Sequence, residues 1–578
     1  MGKIARDETL EKVAKATEAI AAALAGSSPE VLDSTFEAML DGTNTTKIFH
    51  HWWPLARGLS SEENRYATLC RFFEMLAEAW EGKRYTLRFN DYRVSGLHAA
   101  TPLDDLADKV AAMCATEQSL NVEEWCDEDP MTWYVRFNGL SLTDGTMNVL
   151  AVEGVDDTFD ITGNTAPVYT GRLGLWKTQY SDGTYEYKTF ATRKEGNLVP
   201  WAGDVAPDGS HRVMNWEATF GGSNTSGGKL TSGSGYHGGA WVRNGNVPAW
   251  RTSAASGLTN ARKWDNFEGL FSDTDLEVIL DLWQLRHFDL ENSGILEGCL
   301  DYNYQYTVAA AEEGVTSVLL STANAANLVV GGCVEVGSHP SGTNTDRNTA
   351  ANYDLVGCAV ITAIESVTVD DTTLARVHLD LASSVDIPAT AYVSTMPWVP
   401  GSTEHLPGHK DGSLYNCTNG KTPARIAGVE IIDGAYAIGL DPLWDSSWDA
   451  TRTPKSIYTI YQVRDSINQG GSVTSEHENV GQFTFGAGGW QYIKHLEIRD
   501  DGMYAPEEVG GAATTYMKSA FFVGASSGVR CPWRFCALDD GAPGGLAGAA
   551  GSATPSDAYG GGRPRLSGSG KKRGEWAA

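Results

Sequence analysis

Long apolar runs are missing from this 578-residue chain. No segment approaches the roughly eighteen to twenty consecutive apolar residues that a membrane-spanning helix needs. The N-terminus also has no charged stretch followed by an apolar one. The expectation is synthesis in a cytosol, no membrane insertion, and export by lysis or assembly. Positive charge is scarce too: 44 Lys and Arg face 73 Asp and Glu, for a formal net charge of −29. That balance weighs against nucleic acid and anionic lipid as partners. The nine cysteines, at 70, 114, 126, 299, 333, 358, 417, 531 and 536, include no CxxC pair. Neither a zinc ribbon nor a redox motif is therefore expected, and most of them read as small buried hydrophobes. HExxH is absent, and Pro407-Gly408 separates His405 from His409, so no metal site and no cofactor is expected. There is no P-loop.

What the chain does have is glycine (64 residues) and aromatics (10%, with 18 Trp). Both favour turn-rich β structure with sizeable cores, and the length calls for several domains. Residues 1–28 step through Leu10, Val13, Thr17, Ile20 and Leu24 at a/d spacing, which reads equally as a helical stem or oligomerisation segment and as a frayed helix lying on the body. Residues 29–126 read as a helical docking domain. There Ser60 and Glu63 form a capping box ahead of Tyr66, Leu69, Phe73, Leu76 and Trp80. A further helix is expected from Thr101-Pro102, with Leu103, Leu106, Val110 and Met113 inward. His50-His51-Trp52-Trp53 reads equally as core or as a docking patch.

From Met131 the period becomes two. Residues 127–209 are a β or α/β linker module, with Trp133 to Phe137 alternating. A hairpin is expected around Ser181-Asp182-Gly183, between Leu175–Tyr180 and Thr184–Phe190. Asp156, Asp157 and Asp160 lack the spacing and glycine of a calcium loop and read as a solvated turn. Residues 210–307 and 399–578 read as one domain interrupted by a β insertion at 308–398. Its first part has a Gly/Ser/Thr-rich ordered loop from Ser223 to Gly239. A helix capped by Ser272 with Asp275 follows, with Leu276, Ile279, Leu280 and Trp283 as its inner face. Tyr302, Tyr304 and Tyr306 alternate along a strand. After the insertion, Gly401 to Thr422 is a polar loop, and strands are expected at Ile426–Ile432, Ala435–Ile438, Tyr458–Val463 and Trp490–Ile493.

The C-terminal stretch Phe521 to Trp576 organises the rest. Phe521-Phe522-Val523 and the alternating Trp533-Arg534-Phe535 read as strands. Arg563-Pro564-Arg565-Leu566 reads as a closing strand. Between them lies a run of Gly, Ala, Ser, Asp and Pro, the arrangement of a binding face carried on a rigid scaffold. The sequence ATPSDAYGGGRPRL resembles the end of the C-type-lectin fold found in formylglycine-generating-enzyme-like proteins and in phage variable proteins diversified by retroelements. The stretches KLTSGSGYHGGAWVRNGNVPAWRTSA, NLVVGGCVEVG, YVSTMPWVPGST and ARIAGVEIIDGAYAIG also resemble prophage tail proteins of that kind. The likeness spans roughly Arg212 to Trp576.

The resemblance implies a multidomain α+β protein with a helical N-terminal region and a small β module. Its C-terminal domain would be C-type-lectin-like, with an inserted β-barrel-like subdomain at 308–398. It implies a phage tail-tip or fibre receptor-binding protein, a virion component and adhesin rather than an enzyme. The implied partners are a host cell-surface protein or glycan, and other tail proteins through the N-terminal region, in a homotrimer. The contact residues implied by position are Ala537, Asp539, Asp540, Pro543, Ala550, Ser552, Asp557 and Tyr559, with Trp533 and Arg534 at the rim. Tyr and Trp would anchor the ligand, and Ser, Asp and Gly would adapt to it.

Two other readings stay open. Cys531 and Cys536 have the spacing of the cysteines near the end of the formylglycine-generating enzyme, which would make the chain a copper-dependent oxidase. Pro532 and Trp533 depart from that enzyme's polar segment. A purely structural virion or baseplate protein is the other alternative. The carboxylate pairs Asp500-Asp501 and Asp539-Asp540 read as turns rather than as a catalytic couple. No EPN or QPD ligand set for lectin calcium is present, so calcium binding is left open.

Overall fold

The computed structural model describes residues 45–59, 64–111, 125–142, 144–206, 208–237, 240–241, 247–248, 253–264, 268–290, 302–338, 349–404, 423–432, 434–463, 467–498, 503–535, 537–538, 540, 550–552, 560–562 and 564–565. Strands account for 42% and helices are few, so the chain is a mostly β, multidomain protein. The expected stem at 1–28, the Ser60–Glu63 capping box, His405, His409 and Asp500-Asp501 lie outside the described residues.

Helices α1 (Thr45–Leu59) and α2 (Arg65–Ala79) open the described chain. Asn64 caps α2, its side chain accepting from Ala67 N at 3.0 Å. Of that cluster Trp52 and Trp53 are buried in the core, while His51 is half-buried and His50 exposed. The two helices close on Trp133: Phe49, Phe72 and Phe73 hold their rings 5.2, 5.2 and 5.6 Å from it. No helix forms at Thr101. Thr101–Asp104 is a strand at the edge of a five-stranded sheet, paired antiparallel with Tyr85–Asn90. An edge position tolerates Pro102, which has no N–H to contribute to a ladder. Val110 is 72% exposed, not inward.

The expected hairpin forms in that sheet as Trp176–Ser181 and Tyr185–Ala191. The Asp182 carboxylate accepts from Thr184 N and Tyr185 N, both at 2.8 Å, and so fixes the turn. A four-stranded sheet, ordered Met147–Val152, Tyr134–Ser141, Val168–Leu173 and Met214–Ala218, packs beside it. Asp160 is locked in its turn by bonds from Thr162 and Thr165. The stretch expected as a loop from Ser223 contains short paired strands, Gly222–Asn224 with Leu230–Ser232. The strand expected over Ile426–Ile432 is a hairpin, Ala424–Ile426 with Val429–Ile432. Ala427 (φ 43°) and Gly428 (φ 81°) make its turn, the left-handed pair that a tight hairpin requires. A Cβ on Gly428 would lie 2.5 Å from the Tyr134 ring, so the turn packs directly onto the four-stranded sheet.

One apolar core joins α1, α2, both sheets and the C-terminal strands, from Ile48 to Phe535. It crosses the boundaries expected at 126 and 209. The insertion has a separate core that includes Val318, Val334, Ile361, Val377 and Val393. Its six-stranded sheet runs from Gln305–Thr307 at one edge to Ser317–Ser321 at the other. A hydrogen bond from Ala309 N to Leu319 O (2.7 Å) brings the two ends together.

Candidate ligand-binding face

The C-terminal face is built on helix α4 (Asp273–His287; α3 is Ala254–Ala261). The expected cap is present: Ser272 Oγ accepts from Thr274 N at 3.2 Å and Asp275 accepts from Ser272 N at 3.0 Å. The expected single inner face is not, because every residue from Asp273 to His287 is buried. The charges on the other faces are met by partners remote in sequence. Lys177 reaches Glu277 (2.8 Å) and Asp281 (2.6 Å). Lys188 reaches Asp281 (2.6 Å) and Gln284 Oε1 (2.8 Å). Trp201 Nε1 donates to Asp281 at 2.8 Å. Burial alone would raise the Asp281 carboxyl, but the two ammonium groups overcome it and bring the group down to about 2.

At the N-terminus of α4, Asp273 receives Arg534 through two bonds, Nε at 2.8 Å and Nη2 at 2.6 Å. Both side chains are buried, at 1% and 0% exposure, and the guanidinium also lies 5.1 Å from the Trp444 ring. Arg534 ends the strand Gly528–Arg534. That strand pairs with Tyr436–Ile438, with Leu443–Trp448, and with Ala550–Ser552. Tyr436–Ile438 pairs in parallel with Gly560–Gly562, and Pro564–Arg565 closes onto Gly269–Leu270. The closing strand is where the sequence places it.

The expected rim is interior. Trp533 (8% exposed), Arg534 (1%) and Ala537 (0%) are part of the scaffold. The resemblance implies a rim position for Arg534, but its guanidinium turns inward to the Asp273 carboxylate, which would otherwise be buried without a partner charge. Phe535 takes a left-handed backbone (φ 67°) and sets its ring against Phe271 at 5.3 Å. The turn carries Ala537 and Leu538 into a seat formed by Tyr302, Cys333, Val360, Met396 and Val399. Asp540 is half-buried. It accepts from Ala537 N (2.8 Å) and from the Tyr436 hydroxyl (2.7 Å). Ala550 and Ser552 stand on a strand rather than in a loop. Asp539, Pro543, Asp557 and Tyr559 lie outside the described residues. Tyr436, half-buried with its ring 5.3 Å from Trp533, is the member the sequence reading missed. Its alternation in Ala435-Tyr436-Ala437 was the only signal.

Cys531 is fully buried, and burial pushes its thiol up to about 12. It is therefore protonated at neutral pH rather than a poised thiolate. Cys536 lies outside the described residues. Among the described residues no group of three or more His, Cys, Asp or Glu is arranged to hold a metal ion.

A separate cleft opens between the five-stranded sheet and the strands Gly489–Ile498 and Tyr504–Val509, lined in part by Tyr92, Glu186, Lys494, His495 and Tyr516. His495 stacks on Tyr92 at 4.2 Å and bridges Glu186 (3.2 Å) and Glu507 (2.6 Å). Burial disfavours its charge, yet the two carboxylates hold its pKa above the usual histidine value.

No family model, curated protein or solved structure matches this chain.

Proposed function

We propose that this chain is a phage or prophage tail-tip receptor-binding protein. It binds a host-surface protein or glycan without turnover, through the end of a C-type-lectin-like domain that carries a β-barrel-like insertion. In this reading residues 1–126 attach the chain to other virion proteins, and the 1–28 stem gathers three copies so that weak single sites act together. The observation that supports it is how the C-terminal stretch is fastened. Strands 528–534, 550–552, 560–562 and 564–565 are woven into sheets, and the buried Arg534–Asp273 pair anchors the first of them. Of the sequences between those strands, GAPGGLAGA at 541–549 is small and apolar, and ATPSDAY at 553–559 is small and polar with one aromatic residue. That division of a rigid frame from adaptable residues is what recognition surfaces use.

The test is binding of the labelled full chain to a panel of bacterial cells. A variant with Thr554, Ser556, Asp557 and Tyr559 all replaced by Ala is run beside it. Loss of binding with an unchanged thermal midpoint is expected. Equal binding by both chains would remove the reading.

A further inference from the structure

The seat that receives Ala537 and Leu538 contains a pair of thiols. Cys333, at the start of the strand Cys333–Gly337, and Cys358, on the strand Val356–Val369, hold their sulfurs 3.1 Å apart. The strands pair antiparallel with Cys333 opposite Val360, and the register shifts between Val334 and Val336. Cys358 is two residues from Val360, so both side chains lie on one face of the sheet. A disulfide needs a sulfur separation of about 2.05 Å and Cα atoms roughly 4.4–6.8 Å apart, whereas diagonal neighbours on paired strands stand about 7–8 Å apart. Closing the bridge therefore takes about 1 Å at the sulfurs and a small inward shift of the two strands beside the register break. Cys333 is fully buried among Tyr302, Val360, Met396, Val399, Ala537 and Leu538, while Cys358 is half-buried at the edge of the same cluster.

We propose that Cys333 and Cys358 form a redox site that a low-molecular-weight disulfide converts to a bridge. The accessible Cys358, as thiolate, attacks one sulfur of the small disulfide. A mixed disulfide forms and one small thiolate leaves. Cys333 then gives up its proton and attacks the Cys358 sulfur, which breaks the mixed disulfide and releases the second small thiol. Two protein thiols are oxidised and one small disulfide is reduced to two thiols. Burial raises the Cys333 thiol and keeps it protonated, so the first attack falls to Cys358. The 3.1 Å approach of the two sulfurs is what makes the second, intramolecular step available to Cys333, its proton passing to the departing small thiolate. A reducing cytosol keeps the pair open and an oxidising exterior closes it. The bridge ties together two strands that wall the seat, so it stiffens the support of the C-terminal face. That last consequence rests on the adhesin reading; the bridge does not.

The experiment equilibrates the full chain with glutathione disulfide or with reduced glutathione. Each sample is quenched in acid, alkylated with N-ethylmaleimide under denaturing conditions, digested and weighed. Oxidation is expected to give a peptide linking Cys333 to Cys358 with loss of two maleimide additions, and Cys358→Ser to abolish it. Maleimide on both cysteines after oxidation, or glutathione retained on Cys358 with no link, overturns the proposal. Hydrogen exchange over 436–438 and 528–538 is expected to slow in the bridged chain. Unchanged exchange there would overturn the stiffening while leaving the bridge in place. Unchanged cell binding with slowed exchange would bear on the adhesin reading alone.

Discussion

Replacing Arg534 with methionine separates a residue that touches a ligand from one that holds the frame. In the structure its guanidinium makes two bonds to Asp273 with both side chains buried. Breaking a buried pair by removing one partner typically costs about 3–5 kcal/mol, because the other charge is left in the interior. Here the stranded carboxylate sits at the first turn of α4, where the helix N-terminus offsets about 1 kcal/mol. The lost attraction to the Trp444 ring adds back a similar amount. The two corrections cancel, so the expected cost stays at about 3–5 kcal/mol, or roughly 10²–10⁴-fold faster hydrogen exchange at the α4 amides that open with the domain. Asp273→Asn combined with Arg534→Met is expected to be less destabilised than the sum of the single variants, since removing both charges leaves neither unpaired. An Arg534→Met chain within about 0.5 kcal/mol of the parent, as for an ordinary surface substitution, would refute the argument.

Two further outcomes follow from the titrating groups. The Asp281 carboxyl lies at about 2 in the fold, against about 3.9 for an unfolded chain. Its contribution is complete above the unfolded value and is lost as pH falls from about 4 through about 2. Asp281→Asn should remove that acid step from a stability-against-pH curve and cost about 3–5 kcal/mol at neutral pH, because Lys188 stays buried beside it. His495 has the opposite sign. Its pKa is raised in the fold, so its contribution is complete below about 6.5 and is lost as pH rises through the folded value. Exchange over 489–509, corrected for its intrinsic pH dependence, should quicken between pH 6 and pH 9 in the parent and stay level in His495→Gln. A parent profile that is flat over that range would contradict the assignment.

Local chemistry made some of the architecture legible. Asp182-Gly183 marked the hairpin, Ser272 with Asp275 marked the start of α4, and Arg563 to Leu566 marked the strand that closes the chain. What stayed hidden depended on partners distant in sequence. The burial of α4 on all sides rests on Lys177, Lys188 and Trp201, about a hundred residues upstream, so no periodicity within the helix announces it. Arg534 alternates like an exposed strand residue, and its partner Asp273 is 261 positions away. Thr101-Pro102 reads as a helix start locally, and only the Tyr85–Asn90 edge beside it makes it a strand. For the candidate face, composition singled out the C-terminal stretch. It did not distinguish the frame residues Trp533, Arg534 and Ala537 from residues able to meet a ligand, because that depends on which way each strand faces the core.

The central claim, that the end of the chain recognises the host surface, is tested most directly by cross-linking in place. A photoreactive residue at Tyr559 is compared with one at Tyr180, which is 52% exposed on the five-stranded sheet, each on the full chain bound to cells that the panel identifies. The account predicts a covalent adduct with a cell-surface molecule from position 559 and none from 180. An adduct from 180 with none from 559 would contradict it.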